Sequence, residues 1–171
     1  MIFQILSIII AFAIQISFPA LLKIGSTFPN LVLVLAVFIS FAYSRHKALG
    51  AALAGGILLD VFSGMPFGLS MLLMLVIVFL VEEAKFFLFA DLSLLAFLAA
   101  VLGATIFYNI FSFLGAELLY WFNKEIFLVN GSYLFFSVLP KEILYNLISA
   151  AALYLLWILA KFLTGYRESW R

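Results

Sequence analysis

Two carboxylates stand inside otherwise apolar stretches of this chain. Asp60 lies in "GILLDVFSGMPFG", and Glu117 lies in "FLGAELLYW". An ionisable group at membrane depth costs about 2.5 to 3.5 kcal/mol on insertion scales, so it is usually paired, water-facing or functional. We interpret Glu117 as an interfacial carboxylate. For Asp60 two roles stay open: capping a turn or pairing with a neighbouring helix, and binding a partner or substrate directly.

Catalytic chemistry needs a nucleophile with a base, paired acids or a metal cluster within reach of each other. The chain has one histidine, His46, between Arg45 and Lys47, and it has no cysteine. We interpret His46 as a loop residue at headgroup level, because the sequence offers it no partner. No metal-binding spacing, glycine-rich phosphate loop or serine elbow occurs. We therefore expect no enzyme activity, no cofactor and no bound metal.

The composition indicates which environment surrounds the folded chain. The 171 residues are 68% hydrophobic and 10% charged, with 21 phenylalanines and a net charge of +1, whereas a soluble domain carries about 25% charged residues. Because a folded domain of this size leaves roughly a third of its unfolded surface exposed, hydrocarbon has to cover part of it. We expect no nucleic-acid partner, because binding nucleic acid would need a concentrated basic patch.

Apolar stretches of near-bilayer length mark the elements that would position these residues. We predict an all-α integral membrane protein, one transmembrane domain over residues 1–171, folded as a compact bundle of about six helices. The predicted spans are residues 2–22, 28–43, 48–62, 67–81, 92–120 and 141–162. For residues 122–140 a re-entrant hairpin, an interfacial helix and an extra span all stay open.

The distribution of basic residues predicts the orientation of six spans. With the N-terminus inside, the inner segments hold six of the nine lysines and arginines and the outer ones hold three. The inner set is Arg45, Lys47, Lys85, Lys161, Arg167 and Arg171, and the outer set is Lys23, Lys124 and Lys141. The positive-inside rule therefore favours two cytoplasmic termini.

Small residues recur at a spacing of four in the third span. The pairs are Gly50 with Ala54, Ala51 with Gly55, and Ala52 with Gly56. Such pairs let helix backbones approach closely in lipid, so we expect the third span to be central in the bundle. Packing within the bundle explains most of these pairs. A small-residue face left free would bind another protein's transmembrane helix.

The segment after the third span predicts a tight reversal. Gly64 is free to take a positive φ, and Pro66 is suited to the start of the next helix. Asp60 and Asn30 fall near the same predicted end of antiparallel spans, so their side chains could meet. In the other spans, the main mid-membrane polar residues are Gln15, Asn109 and Asn146.

The order of these features resembles the bacterial rod shape-determining protein MreD family. That family shows a Pro-Asp/Asn opening, a basic break, a glycine-rich span ending in Leu-Asp, and a Ser/Gly-x-Pro-x-Gly turn. The corresponding residues are Pro29, Asn30, Arg45 to Lys47, Gly50, Gly55, Gly56, Asp60, Ser63, Gly64, Pro66 and Gly68. The ordered match covers about the first half of the chain, and the second half agrees in length and hydropathy. Asn30 departs from the acidic residue that the family often has there.

The resemblance implies a non-enzymatic scaffold subunit of the elongation machinery in the bacterial inner membrane. Its partner would be the bitopic protein MreC, with the MreB filament, the glycosyltransferase RodA and a class B penicillin-binding protein as indirect partners in lateral peptidoglycan synthesis. The implied fold is similar to the six-helix substrate-binding subunits of energy-coupling-factor vitamin transporters.

Two sets of residues are expected to carry the site. Asp60, Asn30, Gly64, Pro66 and Gly68 form the partner-binding or structural polar set, and Gly50, Ala54, Gly55 and Gly56 form the helix-packing set. The alternative is a small-molecule, vitamin-type substrate-binding subunit of a transporter. Convergence of Gln15, Asn109 and Asn146 on one cavity would support that alternative. A lipid-handling protein is a third, weaker hypothesis.

Overall fold

The computed structural model describes residues 2–17, 27–63, 67–88, 93–122 and 131–164. Within these ranges six long helices form the fold. They are α1 (Ile2–Ser17), α2 (Leu31–Ala42), α3 (Arg45–Ser63), α4 (Leu69–Leu88), α5 (Leu94–Phe122) and α6 (Leu139–Thr164). A helical turn at Gly131–Tyr133 and a π-helical segment at Leu134–Val138 lead directly into α6. The described part of 122–140 between α5 and α6 thus extends the last helix.

Helix α2 is the centre of the bundle and packs against each of the other five helices. Nine of its twelve residues are buried, among them Val32, Ala36 and Val37 with no exposed surface. A helix that is apolar all round belongs either in a protein core or in a membrane, and its burial places α2 in the core of the bundle. This corrects the expectation that the third span is central, since α3 leaves Leu53 and Val61 exposed.

The small residues of α3 allow close packing on two sides. A Cβ on Gly55 would lie 2.6 Å from Cγ1 of Val32 in α2, and a Cβ on Gly56 would overlap the backbone of Met71 in α4. Neither contact leaves room for a larger side chain. Gly50 and Ala54, the other predicted packing residues, are half-buried. The close approach therefore depends on Gly55 and Gly56.

Charged side chains gather at one end of the bundle, here called the Lys85 end. Lys85 donates to the backbone carbonyl of Ser40 in α2 and forms an ion pair with Glu82 at 3.0 Å. Arg45 pairs with Glu83 at 2.9 Å. Because these groups find partners, α4 continues through them to Leu88, beyond residue 81, where the sequence suggests the end of the span.

The outer surface of the bundle is apolar. Leu94–Leu118 and Gly131–Leu163 are long and apolar enough to cross a membrane, yet only 33% and 11% of their most apolar windows are buried. The core helix of a soluble protein would hide such a sequence. Phe136 and Phe162 of the last span are more than four-fifths exposed. An exposed apolar surface of this extent is typical of proteins that contact a membrane or another protein.

Candidate functional site

Asp60 caps the start of α4 at the opposite end of the bundle, here called the Asp60 end. Its Oδ2 accepts hydrogen bonds from the amides of Gly68 at 2.9 Å and Met71 at 3.1 Å, and its Oδ1 accepts from the amide of Ser70 at 2.8 Å. The first amides of a helix have no partner within the helix, and the helix dipole favours an anion there. The carboxylate is only 5% exposed, so it acts as a buried cap that joins α3 to α4.

Gly68 provides the backbone conformation that this cap needs. Its φ is +96°, the only positive φ among the described residues. Side-chain-bearing residues rarely adopt that region, so glycine is required where the chain enters α4. Gly64 and Pro66, the other predicted turn residues, lie outside the described residues.

The cap also connects to α5 through a hydroxyl pair. Tyr108 of α5 donates from its hydroxyl to Oγ of Ser70 at 3.2 Å. The amide of Ser70 is itself bonded to Asp60, so three helices share one chain of hydrogen bonds. Polar networks of this kind fix a unique helix arrangement when every member has a partner.

Neither the side-chain oxygen nor the backbone amide of Asn30 is bonded to Asp60. Its side-chain Oδ1 accepts from the amide of Leu33 at 3.1 Å and caps α2, while its own backbone amide donates to Oδ1 of Asn146 at 2.8 Å. Asp60 is bonded instead to the first turn of α4. The expected Asn30 to Asp60 contact is thus replaced by two separate helix caps at the same end of the bundle.

Asn146 of α6 forms the junction of three helices and has no exposed surface. Its Oδ1 binds the start of α2, and its Nδ2 donates to Oγ1 of Thr105 in α5 at 3.0 Å. Asn109 of α5 donates to the Thr105 carbonyl at 3.0 Å. This cluster joins α2, α5 and α6.

A cavity of about 440 Å³ lies beside this cluster at the Asp60 end. It is bounded by α1, the segment before α2, the end of α3, the middle of α5 and the start of α6. Its lining residues are Phe12, Gln15, Ile16, Thr27, Phe28, Pro29, Asn30, Leu59, Phe62, Tyr108, Val138 and Glu142. The cavity therefore combines aromatic walls with a few polar groups, as ligand pockets do.

The three mid-span polar residues do not all reach this cavity. Gln15 lines it, and its Oε1 accepts a long hydrogen bond of 3.4 Å from the amide of Val32. Asn146 lies instead in a contact between α5 and α6, and the side chain of Asn109 donates within α5 to the Thr105 carbonyl. The convergence that would favour a transporter subunit is therefore absent for two of the three residues.

Glu142 is the site residue that the sequence reading did not select. Its place in the first turn of the last helix suggests only a favourable interaction with the helix dipole. The structure places it in the cavity wall. Its spacing of four from Asn146 puts both residues on one helix face, and this signal was available in the sequence.

The structure also places the single histidine and the second carboxylate of the apolar stretches. His46 is exposed and Glu117 is half-buried. Among the residues that the structure describes, no group of three histidine or acidic side chains could hold a metal ion. What the geometry defines is a helical bundle whose buried polar groups join its helices at one end.

The described residues define the class, an all-helical bundle with two helices that are long and apolar enough to cross a membrane. The family model of the rod shape-determining protein MreD matches residues 1–164, nearly the whole chain. The chain belongs to the MreD family, and the match extends the resemblance beyond the first half of the sequence. No curated protein and no solved structure matches the chain. The family is one of shape-determining structural proteins, which implies involvement in the shape-determining complex.

Proposed function

We propose that this chain is a non-enzymatic scaffold subunit of the elongation machinery in the bacterial inner membrane. It binds MreC and thereby supports lateral peptidoglycan synthesis, with MreB, RodA and a class B penicillin-binding protein as indirect partners. Both termini are cytoplasmic in this proposal, so the Asp60 end faces outward and the Lys85 end faces the cytoplasm. Membership of the MreD family is the main support.

The single structural observation that carries the scaffold role is the use of the buried polar groups. Asp60 accepts hydrogen bonds from three backbone amides of α4. Asn146 accepts a hydrogen bond from the start of α2 and donates one to α5. These bonds hold the helix ends in fixed positions. A rigid end of this kind is suited to presenting a surface to a membrane-anchored partner.

Affinity purification tests this proposal. A C-terminally tagged copy is purified in mild detergent from its own host, and the co-purifying proteins are identified by mass spectrometry. We expect near-stoichiometric recovery of MreC or of the wall synthases. We also expect Asp60→Ala to reduce recovery and cell-shape complementation much more than Leu72→Ala, whose parent side chain is 57% exposed. Equal behaviour of the two variants would remove Asp60 from the proposal.

The alternative function, a small-molecule substrate-binding subunit of a transporter, is favoured by one observation. The cavity at the Asp60 end has about the volume that small ligands occupy and contains the polar groups of Gln15, Thr27 and Glu142. The same purification separates the two functions. Recovery of an ATPase module with a coupling subunit, and no wall synthase, would replace the scaffold proposal by the transporter one.

A further inference from the structure

The last helix changes its helical register close to its start. Leu134–Val138 form a π-helical turn between the helical turn Gly131–Tyr133 and α6, and the amide of Leu139 donates to the carbonyl of Leu134, five residues earlier. A π turn within an α-helix holds one residue more than the α turn that it replaces, and such single turns occur frequently at functional sites. The turn that precedes it is therefore rotated relative to an uninterrupted α6.

Pro140 explains why the extra residue is tolerated. In a regular α-helix its ring would clash with the carbonyl of Phe136, four residues earlier, and it has no N–H to donate to that carbonyl. The wider π turn gives the ring more room. The inserted residue, however, leaves one more backbone carbonyl without a donor in the helical ladder, and this is costly away from water. The π register and the α register of this segment thus have opposing advantages.

Phe113 of α5 is the described contact of this segment across the bundle. The rings of Phe113 and Phe135 meet edge to face with their centroids 5.7 Å apart, and a Cβ on Gly131 would lie 3.0 Å from Cζ of Phe113. Phe136, the next residue along the chain, is 84% exposed. Two neighbouring phenylalanines therefore differ in environment, since one ring packs on α5 and the other faces outward.

Conversion of the π turn into an α turn would exchange these two rings. Each residue of an α-helix turns by about 100° and advances by about 1.5 Å, so removal of the insertion rotates the preceding turn by about that step relative to α6. Phe136 then reaches the place that Phe135 occupies, and Ser132 reaches the place of Gly131. The Cβ of Ser132 requires the end of the Phe113 ring to shift by a few tenths of an ångström. A ring can therefore pack against Phe113 in either register.

We propose that residues 131–138 switch between two registers on α6: a π register with Phe135 against Phe113, and an α register with Phe136 there. Pro140 sets the balance in favour of the π register. Val138 belongs to the π turn and lines the cavity at the Asp60 end, so the change of register also changes that wall of the cavity. The switch is separate from the scaffold proposal, because the exchange of rings takes place within the chain itself.

Fluorine NMR on the full chain in nanodiscs tests the proposal. 4-Fluorophenylalanine replaces Phe136 alone, which keeps the ring, and saturation transfer detects a minor state in exchange with the major one. We expect a second resonance with a population of about 1 to 10%, within the range of minor conformers. The same label at Phe162, 83% exposed near the other end of α6, should give one resonance. A single resonance at Phe136 in the unsubstituted chain would overturn the proposal.

Substitutions assign the second resonance to the α register. Pro140→Ala should make it the major one, because alanine removes the clash with the carbonyl and restores the N–H. Lys141→Ala, which changes the next exposed residue, should leave the ratio of the two resonances unchanged. An unchanged ratio in Pro140→Ala would overturn the proposal. If Pro140→Ala does not fold, Phe135→Leu serves instead. Loss of the competing ring should raise the same resonance several-fold, and no rise would also overturn the proposal.

Phe113→Leu tests where the exchange takes place. The ring current of Phe113 acts on the fluorine only when Phe136 packs against it, so the two resonances should move together when that ring is removed. Resonances that stay equally far apart in Phe113→Leu would show an exchange that does not involve this contact and would overturn the proposal.

Discussion

The side-chain oxygen of Asn146 accepts a hydrogen bond of 2.8 Å from the backbone amide of Asn30, which lies 116 residues earlier in the chain. The same side chain donates to Thr105. The fully buried side-chain amide of Asn146, in α6, therefore accepts a hydrogen bond from the start of α2 and donates one to α5. Because α2 is the central helix, this junction fixes the position of the core relative to the last two helices.

Asn146→Leu should destabilise the protein and weaken its coupling to Thr105. The leucine leaves the Asn30 amide and the Thr105 hydroxyl without this partner inside the bundle, and we expect a loss of about 1 to 3 kcal/mol. A double-mutant cycle with Thr105→Val measures the direct bond. We expect a coupling energy of about 0.6 to 1.7 kcal/mol, the range found between membrane helices. Strict additivity of the two substitutions would contradict the bond.

Asp60→Ala should lower stability through loss of the α4 cap. Three amides lose a charged acceptor, so we expect a loss of about 2 to 3 kcal/mol. Asp60→Asn keeps one acceptor oxygen and should lose less than Asp60→Ala. Thermal unfolding in detergent, followed by loss of the monodisperse chromatographic peak, measures the order. The lipid-facing control Leu72→Ala should stay close to the parent, and a larger loss for it than for Asp60→Ala would contradict the capping role.

Gly56→Ala should be strongly destabilising, whereas Gly103→Ala should not. A Cβ at residue 56 would overlap the backbone of Met71, and a backbone cannot move aside as a flexible side chain does. We expect a loss of about 3 kcal/mol. A Cβ at residue 103 meets nothing within 4 Å, and alanine is the better helix former there. The same unfolding measurement compares them, and equal losses would argue against close α3 to α4 packing.

Lys85→Ala should cost more than Arg45→Ala, although each removes one ion pair. The side chains of Lys85 and Glu82 are 21% and 9% exposed, and those of Arg45 and Glu83 are 45% and 41% exposed. Loss of Lys85 leaves a nearly buried carboxylate alone, for which we expect about 2 to 3 kcal/mol. The exposed pair should contribute less than about 1 kcal/mol and should weaken further in salt. Stability measured at low and high salt distinguishes the two pairs, and a salt-sensitive loss for Lys85→Ala would contradict its burial.

The sequence predicts that Asp60 has a structural or binding role at its end of the bundle, but it does not predict all the hydrogen-bond partners of Asp60. Asp60 is conspicuous because it is an acid in an apolar helix beside a glycine-rich turn. Capping of the turn by Asp60 was one of the alternatives from that pattern. Its bonds to Ser70 and Met71 depend on how the turn closes, which local pattern does not specify.

The centre of the bundle could not be predicted from the spacing of small residues. That spacing marks where backbones come close, and Gly55 and Gly56 do lie in such contacts. A helix becomes central by being surrounded, and this depends on the packing of all its neighbours. The contact between Asn30 and Asn146 depends on the same packing, so no local signal joins them.

The cap of α4 by Asp60 also has a consequence for how the protein is made. The acceptor in α3 and the three donors at the start of α4 are separated by at most eleven residues, so they leave the ribosome almost together. Once the first turn of α4 forms, its amides are satisfied before α5 or α6 has been synthesised. We therefore expect α3 and α4 to enter the bilayer as one helical hairpin. A translation-arrest force profile should show a pulling event that ends when residue 88 clears the insertion channel and that is weakened by Asp60→Ala.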